Sequence, residues 1–230
     1  MLRFRSSSLD IQLSYSIRLL SRVPPPRSSA GLPVRALITV HMAAAVVAAT
    51  LGSVAIVFEE PHVGLADSYR ALVREFVGAG EPLVPFVLAI PADDFGEFLR
   101  RLAACARGEG LPPGFVPHST YWLVNDGEVV AVSNLRHELT DALRREGGNI
   151  GYGVRPSARR RGFATVILGR TLEPARQRGL GEALLTCAKT NVGSVRAIQH
   201  NGGELTSEEF IPERGEVVQR WRIDLSSGVR

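Results

Sequence analysis

The sequence predicts an α/β fold: a mixed, twisted sheet of about seven strands with helices on both faces, built as one domain. Two patterns predict it. After residue 53, short apolar runs alternate with stretches whose apolar residues recur at helical spacing. Near the middle, STYWLVNDGEVVAVSNLR sets two strand-like runs around Asp126-Gly127, the dipeptide a two-residue type I′ turn favours. The composition, 45% hydrophobic and 22% charged over 230 residues, is that of an ordinary globular chain.

The elements follow in order. Val54 to Phe58 reads as a short apolar strand. Residues 67–77, DSYRALVREFV, have helical spacing with Asp67 as the N-cap. Residues 92–107 repeat that pattern, with Phe95, Phe98, Leu99 and Leu102 on one face and Gly108 as the stop. The hairpin comes next, then a short polar helix at 138–146. GGNIGYGV supplies a buried strand over 148–154, and a helix follows over 161–178, ending at Gly179. Pro174 falls inside that helix, where it deletes a backbone hydrogen bond, so a kink near Arg170 to Pro174 or an early end is expected. EALLTCA gives another strand, and Asn191 to His200 a helix closed by Asn201-Gly202-Gly203. GELTSEEFI and EVVQRWRIDL are the last two strands.

The first 52 residues stand apart from this pattern. Residues 1–35 are rich in Ser, Arg and Pro and resemble an organelle transit peptide; an over-extended translation start, with Met42 the initiator, fits equally well. Residues 36–58 are uncharged and long enough to span a bilayer, but they are dominated by Ala and Val and end in the first strand. A poorly ordered extension over 1–52 and a domain over 53–230 are therefore expected, without a membrane span. The net charge of +4 invites a nucleic-acid partner. Residues 1–52 hold six arginines against Asp10 alone, however, which leaves the rest of the chain at −1. No nucleic-acid partner is expected. Two cysteines make neither a disulfide framework nor a metal set, and the histidines show no metal spacing, so a cytoplasmic protein without a metal is expected.

The chemistry-bearing stretch is VRPSARRRGFAT, residues 154–165. Three arginines before a helix have the wrong sign for its dipole. They are either a solvated charge cluster or a seat for a polyanion. The order strand, arginine- and glycine-containing turn, helix decides for the seat. Unpaired N–H groups of the turn and the first helical turn converge there, and Gly162 and small Ala164 leave room for a phosphate. The stretch is neither a GxxxxGK[ST] loop nor a GxGxxG turn.

The Arg-x-x-Gly-x-Ala pattern, Arg159 to Ala164, preceded by GYGVRP, resembles the acetyl-CoA pyrophosphate loop of the GCN5-related N-acetyltransferase (GNAT) superfamily. NVGSVRAIQHNGGEL, residues 191–205, is similar to that superfamily's later motif. The resemblance runs over about 55–225, is densest over 111–225, and points to a bacterial subfamily of unassigned substrate. It implies a GNAT-like sheet whose central strands, 148–154 and 182–187, are parallel and splay apart to admit the pantetheine arm. It implies acetyl-CoA as co-substrate, held by Val154, Arg159, Arg160, Arg161, Gly162, Phe163, Ala164, Thr165, Asn191 and Ser194. It further implies transfer of acetyl to a primary amine on a small molecule or a protein, with a homodimer left open.

Two departures bear on catalysis. Where many members carry a general-acid tyrosine, seven residues after Asn191, this chain has Ile198; where many place a carboxylate or histidine, it has Asn149. The proton-transfer residues are therefore unidentified, with His137, Glu138 and Asn149 as candidates. A water held near Asn149 is the expected proton carrier. A degenerate CoA-binding sensor without turnover is the alternative reading. Cys187, Trp122 and Trp221 read as core.

Overall fold

The computed structural model describes residues 56–226; the expectations for the N-terminal arm lie outside them. No helix among the described residues is long and apolar enough to cross a membrane. Seven strands form, in two antiparallel sheets. The first sheet runs in the order β1 (Ile56–Glu59), β2 (His118–Asn125), β3 (Glu128–Arg136), β4 (Ile150–Val154). The second runs β5 (Glu182–Ala188), β7 (Glu216–Asp224), β6 (Glu204–Ile211). The helices are α1 (Ala66–Gly78), α2 (Phe95–Arg107), α3 (Asp141–Arg145), α4 (Phe163–Gln177) and α5 (Val192–His200).

The β2–β3 hairpin turns at Asp126 and Gly127, both with positive φ (52° and 76°), as a type I′ turn requires. Side chains on this hairpin divide between two cores, with the strand alternation broken where the register shifts between Leu123 and Val124. Trp122, Val124, Val129 and Val132 face α1 and α2, where Tyr69, Leu72, Phe95 and Phe98 are buried. Leu123, Val130 and Ala131 face α4, through Phe163 and Ile167. Helices therefore cover both faces of the first sheet. A further core, with Leu168 and Leu172 of α4 against Leu185, Ile198, Trp221 and Ile223, joins that helix to the second sheet. Trp122 and Trp221 are buried, as the sequence predicts.

The caps explain most of the boundaries. Asp94 accepts from Glu97 N–H at the start of α2, and Gly108 ends that helix in the left-handed region. Thr140 caps α3 and Asn191 caps α5. Asp67 is not the cap of α1, contrary to expectation. A 3₁₀ turn over Val63–Leu65, capped by His62, leads directly into the helix, and Asp67 pairs with Arg70 in its first turn. α4 does not end early at Pro174 but runs through it to Gln177. Only the last turn loses a bond, because the missing N–H falls close to the helix end.

The main-chain bond between the two sheets is made at Asn149, beside a bond from Gly147 N–H to Thr186 Oγ1. Asn149, 5% exposed, donates its N–H to Leu184 O at 2.7 Å and accepts Leu184 N–H on Oδ1 at 2.9 Å. β4 and β5 share no ladder beyond that link. Gly148, with φ +62°, makes the approach feasible: a Cβ there would overlap the Leu184 carbonyl.

Candidate active site

At the far end of β4 the chain makes a 3₁₀ turn over Pro156–Ala158 and enters α4 through Gly162, which sits at φ +83° with open space around it. A side chain at Gly162 would be strained by that φ. Arg160 also has positive φ (61°). Among the described residues, none of the main-chain N–H groups from Arg160 to Thr165 has a hydrogen-bond acceptor, the first helical bond being Val166 N–H to Gly162 O. The turn thus presents a row of free donors at the positive end of a helix 15 residues long.

The arginines around this row have two different jobs. Arg155 pairs with Glu75 at 2.6 Å, and the second carboxylate oxygen of Glu75 accepts Ser157 N–H at 3.0 Å. Arg159 grips Glu81 with both Nη atoms (2.7 and 2.5 Å), lies over the Phe76 ring and donates Nε–H to Val154 O. Burial raises the Glu75 carboxyl, but hydrogen bonds from Ser157 and Arg155 outweigh it and hold the pKa below the usual range. The hydrogen bonds from Arg159 lower that of Glu81. These pairs fasten the turn to the end of α1. Arg160 and Arg161 have no such pair among the described residues; Arg161 lies over Phe163. Phe163 itself is 4% exposed, so only its backbone reaches the turn's outer surface.

β4 also exposes its backbone inward. Arg136 N–H donates to Asn149 O and Arg155 N–H to Val130 O, while Tyr152 lies opposite Ser133 and Val154 opposite Ala131. Bonded and non-bonded pairs alternate in an antiparallel ladder. The N–H and C=O of Tyr152 and Val154 therefore turn away from β3, toward β5.

A cavity of about 280 Å³ lies between β4 and β5, bounded by Gly151 and Tyr152 on one strand and Leu185 to Ala188 on the other. Asn191, Ser194 and Ile198 of the α5 region form part of its wall. The Asn191 Oδ1 is used as the helix cap, accepting from Ser194 N–H at 3.1 Å, which leaves its amide NH₂ free. Across the gap, the Tyr152 hydroxyl meets Ser194 Oγ at 2.8 Å. Burial pushes the Tyr152 phenol up to about 12. Cys187 is half-buried, and burial raises its thiol, which keeps it protonated.

The opposite wall holds groups the motifs did not flag. Arg136 and His118 both line the cavity, and so does Glu146, the one carboxylate on its wall among the described residues. His118 is 2% exposed and takes a hydrogen bond on Nδ1 from the Asn134 amide at 2.9 Å. The same amide also donates to Ser119 O, which fixes its orientation. The His118 proton therefore sits on Nε2. Burial, then the nearby Arg136 and His137, lower its pKa to about 4.

The predicted proton-transfer residues fall elsewhere. His137 binds Ser119 Oγ at 2.9 Å beside Arg178; burial and that arginine lower its pKa to about 4. Glu138 is exposed. Neither lines the cavity, and neither does Asn149. The buried Asn149 amide is engaged at both ends, accepting Leu184 N–H on Oδ1 and donating to Arg136 O at 3.4 Å. Ile198 is buried on the cavity wall and donates nothing, as its side chain dictates.

Residues 92–202 match the acetyltransferase (GNAT) family. Solved structures share the fold at low sequence identity. yncA of Salmonella typhimurium, an acetyltransferase with acetyl-CoA bound, superposes with a TM-score of 0.50 at 15% identity, over 76% of this chain and 97% of its own. Mycobacterium smegmatis RimJ, in complex with CoA-disulfide, gives 0.54 at 18% identity, over 74% and 81%. The dodecameric spermidine N-acetyltransferase of Vibrio cholerae gives 0.51 at 14%, over 74% and 94%. No curated protein matches the chain in sequence.

Proposed function

Since residues 92–202 match the acetyltransferase (GNAT) family, we propose that the chain moves the acetyl group of acetyl-CoA to a primary amine. The observation that carries this reading is the row of free N–H groups from Arg160 to Thr165, standing at one end of a strand whose other end borders a cavity. A pyrophosphate fits such a row: several donors converge, the helix dipole adds to them, and Gly162 leaves the approach open. Arg160 and Arg161 supply the mobile positive charge, while Arg159 holds the turn in shape through Glu81. The pantetheine arm then runs along β4, its amides meeting the outward backbone of Tyr152 and Val154 and the free NH₂ of Asn191.

The reaction needs three services. The acetyl carbonyl must be polarised, and an N–H from the exposed edge of β4 does this. The amine must be neutral when it attacks; Glu146, on the cavity wall, takes the proton of the ammonium, directly or through water. As the C–N bond forms and the C–S bond breaks, the nitrogen gives its second proton to water. The sulfur takes up negative charge and receives the Tyr152 proton, which water restores. Tyr152 thus serves from β4 where the family's tyrosine would come from α5, at the position of Ile198. The cytoplasmic, metal-free setting expected from the cysteine and histidine pattern suits this chemistry.

Calorimetry with CoA and a thiol-release assay over an amine panel test the reading together. Micromolar CoA binding with thiol release that depends on an amine is expected. CoA binding without release from any amine would leave only a sensor.

A further inference from the structure

Arg136 closes β3 and projects into the cavity wall at the end opposite the pyrophosphate turn. β4 rises about 3.4 Å per residue, which puts roughly 17 Å between its Asn149 and Val154 ends. The Arg136 guanidinium is largely buried, with its carbon 5.4 Å from the centre of the Phe86 ring. Its Nη1 donates to the carbonyls of Gly147 (3.1 Å) and Gly148 (2.9 Å). Nε and Nη2 have no acceptor among the described residues, and no carboxylate lies within ion-pairing distance of the group. The near carboxylate, Glu146, is paired with Arg214 at 3.4 Å. An unmatched buried guanidinium is costly, since burial disfavours its charge and the two carbonyls use only one of its nitrogens. The same burial lowers its pKa to about 10, still far above neutrality, so the charge stays.

A second donor faces the same space. His118 lines the cavity with its proton on Nε2, and Nε2 has no partner among the described residues. Fixed as a donor by the Asn134 amide, it cannot serve as a base while that bond holds. Arg136 and His118 therefore offer donors and one positive charge without a carboxylate partner among the described residues, while Arg214 and Glu146, both on the wall, pair with each other. Leu83, Phe115, Val116 and Leu143 make the remaining wall apolar.

We infer that this end of the cavity is a carboxylate subsite, with Arg136 and the Nε2 of His118 holding the carboxylate of an amino-acid-like acceptor. The inference rests on the acetyltransfer reading and narrows its substrate class to an apolar amino acid, or the terminal residue of a peptide. Arg214, the other guanidinium on the wall, is held by Glu146 and Glu216, so the one unpaired guanidinium there, among the described residues, balances a monoanion rather than a dianionic phosphate. A zwitterion fits the pair of charges: the carboxylate on Arg136, the ammonium toward Glu146, where it loses its proton before attack.

The test separates the subsite from the chemistry. N-acetyl-L-leucine and its neutral amide are titrated into the CoA-loaded full chain, and L-leucine and L-leucinamide are compared in the thiol-release assay. The acid should bind at least tenfold tighter than the amide. Arg136→Gln should erase that preference while CoA affinity stays within twofold. If that variant misfolds, the wild-type comparison of acid with amide decides alone. Equal affinity of acid and amide overturns the subsite. Equal turnover of leucine and leucinamide overturns it too, while leaving acetyltransfer standing. Preferential binding of the acid with no thiol release from any amine upholds the subsite and removes acetyltransfer instead.

Discussion

The two ends of β4 solve different problems with different atoms. At its C-terminal end, the turn into α4 offers main-chain N–H groups, and the side chains around them either brace the turn or supply diffuse charge. At its N-terminal end, the cavity is lined by Arg136, His118, Glu146 and Tyr152, which reach it from three strands and a helix terminus. A backbone cradle is local: it needs a glycine, a helix start and little else. A pocket of side chains is assembled from distant segments and carries the specificity.

Breaking the cradle should have the largest effect. Gly162→Glu puts a strained, negatively charged side chain where the phosphates are proposed to sit. With several charge-assisted hydrogen bonds lost, each worth about 1.5–3 kcal/mol, CoA affinity should fall about a thousandfold or more. Calorimetry on a variant with wild-type circular dichroism reads this directly; unchanged affinity would remove the loop assignment.

The other end should respond in turnover rather than in CoA binding. Tyr152→Phe removes the donor to the departing sulfur and should lower kcat by about a hundredfold, the lower end of what general acids contribute. Its CoA affinity should stay within a few-fold. Glu146→Gln should cost roughly tenfold in kcat and recover part of that loss at higher pH, where the amine is already neutral. His137→Ala and Glu138→Gln, both off the cavity wall, should each lose less than about tenfold. A collapse of kcat in either would return the base to the hairpin's exit.

A smaller effect is on stability against pH. The His118 pKa falls from 6.5 unfolded to about 4 folded. Above pH 6.5 the imidazole is neutral in both states. As pH drops toward 4, the unfolded chain binds a proton that the folded one refuses, so stability falls by up to about 1.4 kcal/mol per pH unit from this group. Denaturant melts of wild type and His118→Gln should diverge in slope across that window. The smallest effect belongs to truncation: residues 53–230 alone should fold and bind CoA with unchanged affinity, because the arm supplies no sequence pattern that the sheet needs. Loss of CoA binding in this piece would overturn the domain boundary.

What the sequence revealed follows the same divide. The cradle was legible because its signals are contiguous: VRPSARRRGFAT gives strand end, turn and helix start in one reading, and Asn191 announces itself as a cap. Sheet and helix order were legible because apolar periodicity and Asp126-Gly127 are local as well. Asp67 misled because a preceding 3₁₀ turn changes where α1 begins. Asn149 misled for a different reason. Its position matches a catalytic slot, yet its amide is consumed by Leu184, a residue 35 places later. Tyr152 alone left a trace, as a polar-tipped aromatic between glycines in an otherwise apolar strand. Arg136 and Glu146 left none, because nothing in their neighbourhood says they face the same space.

The backbone link at Asn149 also bears on how the molecule comes apart. Two sheets that share no ladder need not open together. The β5–β7–β6 sheet holds to the rest through Asn149, through Gly147 N–H on Thr186 Oγ1, through surface pairs such as Arg145–Glu209, and through a core that Leu168 and Leu172 of α4 share with Leu135 and Ile150. Removing the amide strands the Leu184 N–H in the interior, a loss of about 1–3 kcal/mol confined to that seam. In Asn149→Ala, amide protons of the second sheet should exchange through a partial opening well before those of the β2–β3 hairpin. The wild-type chain should exchange both sets closer to the limit of global unfolding.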